Sequence, residues 1–391
     1  MGNVSKAKPP DFNLGQVLTW LQEREQEMIA SAREMVVRES PSHNKQACDE
    51  LCAHLAGEFA CLGGEVKVHK QPAAGHHLQV SFAGPRRRAP VLLLGHFDTV
   101  YEVGTLNKMP WSERNGRLHG PGIFDMKAGI VQMMFALWAL REVVGELPRP
   151  VKLLLVSDEE VGSATSRAIT EKLARQCAAV LVGEPSGPGG ALKTARKGVG
   201  SFTLKVTGKA AHSGLDFEKG QSAILELAHQ ILAVSRLTDL KRGVTLNVGQ
   251  VRGGTRTNVV ADEAVAELDL RVTNMKHGAQ MEQRVRELRP VNSKCRLAIS
   301  GGINRPPLER SPMVVALFQR ARQVAGELGF TLREIAVGGG SDGNFTAGIG
   351  VPTLDGLGAV GDGAHAAHEH VVAAEMPRRA ALLAGLIQAV E

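Results

Sequence analysis

The stretch 91-VLLLGHFDTV-100 joins four consecutive aliphatic residues to a histidine and an aspartate that stand two positions apart. A short aliphatic run followed by turn residues is typical of a buried strand in a parallel sheet. His96 and Asp98 follow that run, at a place where polar side chains are common on protein surfaces. Because alternate side chains of an extended chain share one face, the pair also fits a binding site. The remaining sequence decides between these interpretations.

Composition indicates a two-domain α/β protein. The chain has 391 residues, of which 43% are hydrophobic, 22% are charged and 44 are glycines. This length exceeds that of one ordinary core, and abundant glycines are typical of strand-to-helix turns. The net charge of +6 favours small anionic substrates over nucleic acid, because the basic residues are scattered and only residues 86–88 form a tight run.

Neither a membrane nor an oxidising compartment is indicated. No apolar segment approaches the ~20 residues of a membrane span, and the first residues, MGNVSKAKPPDFN, lack the apolar centre of a signal peptide. The cysteines are odd in number and form no CxxC pair, which favours reduced thiols: Cys48, Cys52, Cys61, Cys177 and Cys295. We therefore expect a cytoplasmic protein with no membrane partner.

Strand and helix patterns alternate along most of the chain. Two amphipathic helices are expected between about residues 17 and 62. The segments that follow are strands at EVKVHKQ, HLQVSFAG and 91–94, a helix at 128–144, the run VKLLLVS, a helix near 168–176, the run AAVLVGEP, and later VPTLDGLG before a final helix. This order predicts a mainly parallel sheet flanked by helices, the α/β class.

Residues 198–305 show a different order of predicted strands and helices. The strand GSFTLKVTGK, a helix at 220–237, two strands, a helix at 279–288 and the strand CRLAISG succeed one another. The order βαββαβ, with period-two alternation in AVAELDLRV, predicts a ferredoxin-like α+β domain. We therefore expect a larger domain of residues 1–197 and 306–391, interrupted by an inserted domain of residues 198–305.

Acidic and imidazole side chains follow each buried run of the larger domain. They are His96 and Asp98 after the first run, Asp158, Glu159 and Glu160 after VKLLLVS, Glu184 after AVLVG, and Asp125 in the turn GIFDMKAG. Ligands of open α/β sheets bind outside the carboxyl ends of the strands, so these residues should meet in one crevice. Gathering so many carboxylates without a cation would cause strong like-charge repulsion or force large upward pKa shifts, and a divalent metal removes that conflict. Histidine with Asp and Glu, and without cysteine, suits zinc, cobalt or manganese.

A set of segments resembles, in order and spacing, the dinuclear zinc amidohydrolases that include carboxypeptidase G, acetylornithine deacetylase and succinyl-diaminopimelate desuccinylase. The segments are GHFDTV, GPGIFDMKAG, DEEVGS, GEPS, GKAAHSG, GGTRTNVV, GGGSDGN and GDGAHAAHE. The resemblance covers about residues 25–390 and is closest to the carboxypeptidase G branch. It implies two divalent metal ions per chain, zinc with cobalt or manganese as alternatives, and an inserted domain that acts as a lid and forms a homodimer.

The resemblance also implies the metal ligands. Asp125 would bridge both metals, His96 and Glu184 would complete the first, and Glu160 and His365 the second. Each metal then keeps an open position for water, as catalysis requires.

Neighbouring residues receive roles from the same resemblance. Asp98 would hydrogen-bond the free imidazole nitrogen of His96 and fix its tautomer. Glu159 would act as general base, taking a proton from water and passing it to the leaving amine. The segment AHAAHEH also offers His368 in place of His365, but the family spacing of a ligand histidine, three residues and a glutamate fits His365 with Glu369.

Four further positions match substrate-binding positions of the family. His212 would polarise the scissile carbonyl as an oxyanion donor, and Asn258 would reach a substrate carbonyl or carboxylate. Arg305 resembles the arginine that holds the substrate carboxylate, a task suited to a bidentate guanidinium. Ser341 would add a hydroxyl group.

These features predict hydrolysis of an amide bond next to a free carboxylate. The expected substrate is a small peptide or N-acyl amino acid with an acidic C-terminal residue, as in carboxypeptidase G. A deacylase of the acetylornithine type is the alternative, because the segment GPGGALKT departs from the carboxypeptidase G pattern. A metal-free binding module with the same fold is a third hypothesis, which the presence of Glu159 and of all five ligands disfavours.

Overall fold

The computed structural model describes residues 12–390. Its helices are α1 (Leu14–Gln22), α2 (Glu25–Val36), α3 (Lys45–Cys61), α4 (Ala128–Ala139), α5 (Arg167–Ala174), α6 (Ala223–Ser235), α7 (Met275–Arg286), α8 (Pro312–Glu327), α9 (Gly343–Gly348) and α10 (Glu375–Ala389). The strands of the first half are β1 (Glu65–His69), β2 (His77–Phe82), β3 (Val91–His96), β4 (Ser112–Arg114), β5 (Arg117–His119), β6 (Val151–Val156), β7 (Ala179–Val182) and β8 (Leu192–Arg196). Those that follow are β9 (Gly198–Thr207), β10 (Thr245–Gly253), β11 (Glu263–Val272), β12 (Arg296–Arg305), β13 (Glu334–Val337), β14 (Thr353–Leu354), β15 (Gly361–Asp362) and β16 (His370–Val372).

The chain divides into two compact units. The first comprises the described residues up to Thr194, Arg310–Ala336, and those from Phe345 onward. The second comprises Ala195–Glu309 and Val337–Asn344. Most of the segment MGNVSKAKPPDFN, on which the expectation of no signal peptide rests, lies outside the described residues.

The main sheet of the first unit has the order β1-β2-β6-β3-β7-β14. Strand β3 pairs in parallel with β6 and β7, and β14 pairs in parallel with β7, while β1 and β2 are antiparallel. All six residues of β3 are buried, as expected of a central strand covered on both faces. The predicted mainly parallel sheet with flanking helices is therefore confirmed, and the carboxyl ends of β3, β6 and β7 lie at one edge.

Helix α4 forms the centre of the helical layer. Eleven of its residues are buried, and it continues into the π-helical segment Leu140–Val144. The combined segment Ile123–Val144 has 22 residues and is apolar enough to cross a membrane by length and composition. The expectation that no apolar segment reaches that length is therefore wrong. Its apolar window is 89% buried within the protein, so packing accounts for its composition.

Two features of the first unit differ from the expectations. The N-terminal region forms three helices instead of two, because α1 ends at Gln22 and α2 begins at Glu25 without any proline or glycine to mark the break. A small four-stranded sheet with the order β15-β16-β5-β4 was not predicted. Its strands have two or three residues each, too few for alternation to be recognised.

The second unit is built on a four-stranded antiparallel sheet with the order β10-β11-β9-β12. Helices α6 and α7 connect its strands in the sequence βαββαβ. Strand β11 alternates regularly between buried and partly exposed residues, so one face supplies the core of this unit. The ferredoxin-like topology is as predicted.

Candidate metal centre

The candidate donors lie at one edge of the main sheet of the first unit. His96 is the last residue of β3, Glu159 and Glu160 begin a short turn after β6, and Glu184 follows β7 closely. Because parallel strands end at the same edge, the loops after them converge there. Asp125 joins them from the turn Ile123–Lys127 that precedes α4.

Asp125 stands between two histidines and joins two groups of donors. Its Oδ1 atom lies 3.0 Å from Nε2 of His96, and its Oδ2 atom lies 3.5 Å from Nε2 of His365. The same Nε2 atom of His96 is 3.5 Å from Oε1 of Glu184, and that of His365 is 3.2 Å from Oε1 of Glu160. We call His96 with Glu184 the first group and His365 with Glu160 the second group. Asp125 is common to both.

Donor chemistry fits a pair of divalent cations. Ligand atoms of His96, Asp125 and Glu160 all lie within 4.8 Å of one another. Imidazole and carboxylate ligands without thiolate are typical of catalytic zinc, cobalt or manganese centres. A carboxylate shared between two such groups supplies one oxygen to each, as a bridging ligand would.

Glu369 holds the turn that carries Asp125. Its Oε1 atom accepts the backbone N–H groups of Phe124 and Asp125 at 2.8 and 3.0 Å, and its Oε2 atom accepts that of Gly122 at 2.9 Å. Gly122 has φ 72°, and a Cβ atom there would clash with the methyl group of Thr99. The turn therefore needs glycine at this position and an acidic residue beneath it.

His365 reaches the donors from a left-handed backbone conformation. Its φ is 61°, which is uncommon for a residue other than glycine and is typical of functional loops. Among the described residues it is His365, and not His368, whose imidazole contacts Asp125 and Glu160. The structure thus places the histidine preferred from the sequence beside the second group.

Asp98 contacts His96 through both its backbone and its side chain. The atom closest to Nδ1 of His96 is the backbone oxygen of Asp98, at 3.0 Å, and its Oδ1 atom is 3.5 Å away. The fully buried carboxylate also accepts the backbone N–H groups of Glu159 and Glu160, each at 3.2 Å, and the hydroxyl of Ser42 at 2.7 Å. Asp98 therefore connects the end of β3 to the loop after β6, while its backbone carbonyl fixes the tautomer of His96.

Ion pairing between histidines and carboxylates determines the protonation of His96 and Asp125. Burial disfavours the imidazolium form of His96, but the carboxylates of Asp125, Asp98 and Glu184 outweigh it and hold the pKa of His96 well above its usual range. Burial also acts against ionisation of Asp125, but His365 and His96 hold the pKa of that carboxyl well below its usual range. In the metal-free protein, protonated histidines therefore balance the negative charge of the carboxylates. A bound metal would balance the same charge in their place.

A similar balance operates in the second group. Hydrogen bonds to Asp125 and Glu160 raise the pKa of His365 to about 10. Burial raises the pKa of Glu160, against the opposing effect of His365 and His96. Pairing with carboxylates thus determines the charge of the half-exposed His365, and burial has the larger effect on Glu160.

His212 and Asn258 lie on adjacent backbone segments of the second unit. Ser213 donates its backbone N–H to the carbonyl of Asn258 at 3.0 Å, and His212 forms an isolated bridge with Val259. Both side chains are exposed. Nδ1 of His212 accepts the N–H of Gly214 at 3.1 Å, so in the neutral ring the hydrogen resides on Nε2, which is available as a donor.

Arg305 and Ser341 have partners inside the second unit. The guanidinium of Arg305 is buried and pairs with Asp342, with 2.5 Å between Nη1 and Oδ1. Ser341 is also fully buried, and its hydroxyl accepts the N–H of Gly343 at 3.1 Å. The roles of both residues in substrate binding stay predictions.

Sequence reasoning missed the roles of two buried groups. Glu369 was noted only for its spacing from His365, although it accepts three backbone N–H groups. Asp158 accepts both the N–H and the hydroxyl of Thr165, at 2.8 and 2.7 Å, and Thr165 contacts the buried His77 at 2.9 Å. The position of Asp158 directly after a buried run was visible in the sequence. That position does not distinguish an acid that stabilises a loop from one that binds a metal.

The chain is similar to a known family and to several known proteins. Residues 92–389 match the family model described as Peptidase family M20/M25/M40. The chain is 30% identical over 304 residues to carboxypeptidase G2 of Pseudomonas sp. (strain RS-16), covering 76% of this chain and 73% of that protein. It is 31% identical over 263 residues to acetylornithine deacetylase of Klebsiella pneumoniae (strain 342), covering 61% of this chain and 66% of that protein.

A similar fold occurs in a solved structure from Bacillus subtilis, described as a dinuclear metal-binding peptidase of the M20 family. The TM-score is 0.67 at 15% identity, with 94% of this chain and 98% of that chain covered. At this identity the likeness concerns the fold alone.

Proposed function

The chain belongs to the peptidase family M20/M25/M40 and is therefore a metal-binding peptidase or amidohydrolase, and we propose that it hydrolyses an amide bond next to a free carboxylate. More precisely, we propose the reaction of a carboxypeptidase G-like enzyme, which releases an acidic C-terminal amino acid from a small peptide or acyl compound. The observation that carries the proposal is the position of Asp125 between His96 and His365, with Glu160 and Glu184 beside the two histidines.

Two divalent cations would be held by these five side chains. We propose zinc, with cobalt or manganese as alternatives, because the donors are imidazole and carboxylate groups. Bound there, the cations would supply Lewis acidity and lower the pKa of water.

Glu159 is proposed to move the proton. Its backbone N–H and that of Glu160 both donate to the carboxylate of Asp98. These bonds fix the backbone positions of the two glutamates after β6. The carboxylate of Glu159 would accept a proton from the attacking water and return it to the nitrogen of the leaving amine. Asp98 would act on this step only by positioning the two glutamates.

The second unit is proposed to bind the substrate. Nε2–H of His212 would donate to the oxygen of the scissile carbonyl as negative charge develops on it. Asn258, on the neighbouring segment, would donate its amide to the free carboxylate or to a carbonyl. Arg305 would hold that carboxylate from its position beside Asp342, and Ser341 would shape the loop next to it.

The alternative activity is that of an N-acyl-amino-acid deacylase. The comparable identity to an acetylornithine deacetylase favours this candidate, and both activities require the same donors. A non-catalytic binding module is disfavoured because Glu159 and the five donors occur together. We place the enzyme in the cytoplasm, without a nucleic-acid or membrane partner, on the grounds of its scattered basic residues and free cysteines.

A homodimer formed through the second unit is part of the proposal. Helix α6 exposes Ile224, Leu225 and Leu232, which are 48%, 61% and 58% exposed, on one face of the helix. Strand β10 is an edge strand of its sheet. An apolar stripe beside an edge strand is a surface suited to a second copy of this chain.

A hydrolysis screen with added zinc tests the activity. Folyl-glutamate, dipeptides with acidic C-terminal residues and N-acetyl amino acids, including N-acetylornithine, serve as substrates. Release of glutamate from folyl-glutamate or acidic peptides supports the carboxypeptidase, and preferential release of acetate supports the deacylase. Absence of turnover of every substrate by the metal-loaded protein would contradict both.

A further inference from the structure

A cationic pocket lies on the small sheet of the first unit. Its cavity has a volume of about 600 Å³. The residues that line it include Lys108, Arg114, Arg117, His119, Ala367 and Glu369. Three of these carry a permanent or nearly permanent positive charge.

A tight hairpin fixes the two arginines. Strands β4 and β5 are joined by Asn115 and Gly116, with φ values of 51° and 71°. Two successive positive φ angles at an Asn-Gly pair are typical of the type I′ turn, a favoured two-residue hairpin connection. Arg114 and Arg117 are therefore direct cross-strand partners, and their side chains share one face of the sheet.

Like charges in this position destabilise a sheet unless an anion lies between them. None of Lys108, Arg114 and Arg117 forms an ion pair with any residue that the structure describes. Glu369, the carboxylate in the wall, is already engaged by three backbone N–H groups. Burial and the charges of His370, Arg114 and Arg117 lower the pKa of His119, as expected where positive potential is uncompensated.

The pocket adjoins the candidate metal centre. Glu369 lines the pocket and at the same time binds the N–H of Asp125. Ala367 lies in the loop that carries His365. The residues proposed to hold the free carboxylate of the substrate, in contrast, all belong to the second unit. Because the proposed function assigns the free carboxylate to those residues, the pocket is available for a different charged group of the substrate.

We propose that this pocket binds one anionic group, a carboxylate or phosphate, on the acyl side of the amide that is cleaved. The substrate class is then a peptide or acyl compound that is acidic on both sides of the scissile bond. This inference rests on the proposed function for the position of the group within a substrate, but the binding of an anion by Arg114 and Arg117 does not depend on it. A free anion from solution would be recognised by the same chemistry.

A matched substrate pair tests the inference. N-acetyl-Glu-Glu and N-acetyl-Gln-Glu differ only in the charge on the acyl side. The zinc-loaded wild type should show a higher kcat/KM for the first, and Arg114→Gln with Arg117→Gln should reduce the ratio of the two values on the order of tenfold to a hundredfold. A control with Arg86→Gln and Arg87→Gln, two exposed arginines elsewhere on the first unit, removes the same charge and should retain the ratio.

A binding measurement decides the inference even if neither peptide is cleaved. Isothermal titration of the zinc-loaded protein with glutarate and with inorganic phosphate should show a site that the paired Arg114 and Arg117 substitution removes and the control retains. Loss of binding together with a changed peptide ratio assigns the pocket to the substrate. Loss of binding with an unchanged ratio assigns it to a free anion and overturns the substrate class. Equal binding in all three proteins would overturn the pocket itself.

Discussion

The carboxylate of Asp98 accepts the backbone N–H of Glu159 at 3.2 Å, although 61 positions separate the two residues in the chain. This bond, and the matching one to Glu160, set where the loop after β6 begins. Asp98 thereby determines the position of both a proposed base and a proposed ligand without occupying either role.

Asp98→Asn should lower kcat about 10- to 100-fold, because an amide offers one acceptor where the carboxylate uses two oxygens and a full charge. We expect the effect in kcat more than in KM, as the substrate is not contacted. Steady-state kinetics at saturating zinc measures this, with Asp216→Asn in the second unit as a charge-matched control. A wild-type kcat would show that the loop keeps its position without Asp98.

Glu159→Ala and Glu160→Ala should separate proton transfer from metal binding. Loss of the general base should lower kcat about 10²- to 10⁴-fold while the metal content stays near that of the wild type. Loss of Glu160 removes a donor from the second group and should lower the metal content itself. Elemental analysis of the dialysed variants beside kinetics makes the comparison, and equal metal loss in both would contradict the assigned roles.

Metal binding should release protons at neutral pH. In the metal-free protein the pKa of His96 is raised well above its usual range and that of His365 to about 10, so both imidazoles carry a proton that a cation must displace. Affinity should therefore rise as the pH increases from neutral toward 10. Titration calorimetry in buffers of different ionisation enthalpy counts the protons. His365→Ala should release fewer and His368→Ala the same number, and no release in the wild type would refute the pairing.

His212→Ala should lower kcat about 10²- to 10³-fold, as removal of an oxyanion donor does. Its side chain is exposed on the second unit, so the unfolding temperature should change little. His212→Gln, which retains an N–H donor, should recover part of the loss. The prediction fails if alanine and glutamine variants both match the wild-type rate.

Leu225→Glu combined with Leu232→Glu should convert the dimer to a monomer, because two charges would be buried in an apolar interface. Light scattering after size-exclusion chromatography measures the mass. Leu240→Glu, at a residue 76% exposed in the same unit, is the control. A wild-type protein that is itself monomeric at micromolar concentration would refute the proposed interface.

The main architecture could be predicted because it depends on long, strongly patterned segments. The buried run of β3 and the alternation of β11 specify their strands directly. The positions of His96, Glu160 and Glu184 after strands then predicted that they would gather near Asp125. In the structure His96 is within ion-pair distance of Asp125 and Glu184, and Glu160 of His365. Their roles as ligands remain predictions.

What could not be predicted depends on contacts between distant residues. The Asn-Gly turn was a local signal for the Arg114–Arg117 hairpin, but strands of three residues are too short to show a period. Nothing local distinguishes the carboxylate of Asp98 from its carbonyl as the partner of His96. Glu369 has its role only because the loop before β16 returns to the Asp125 turn.

The two histidines of the centre stand on opposite sides of the inserted unit in the chain, at positions 96 and 365. During synthesis the ribosome must therefore deliver the whole insert before the second histidine exists. A nascent chain that ends within the insert carries Asp125 and both glutamates but has no imidazole for the second group. With the proposed ligands, the second group would then be complete only after both units have been made.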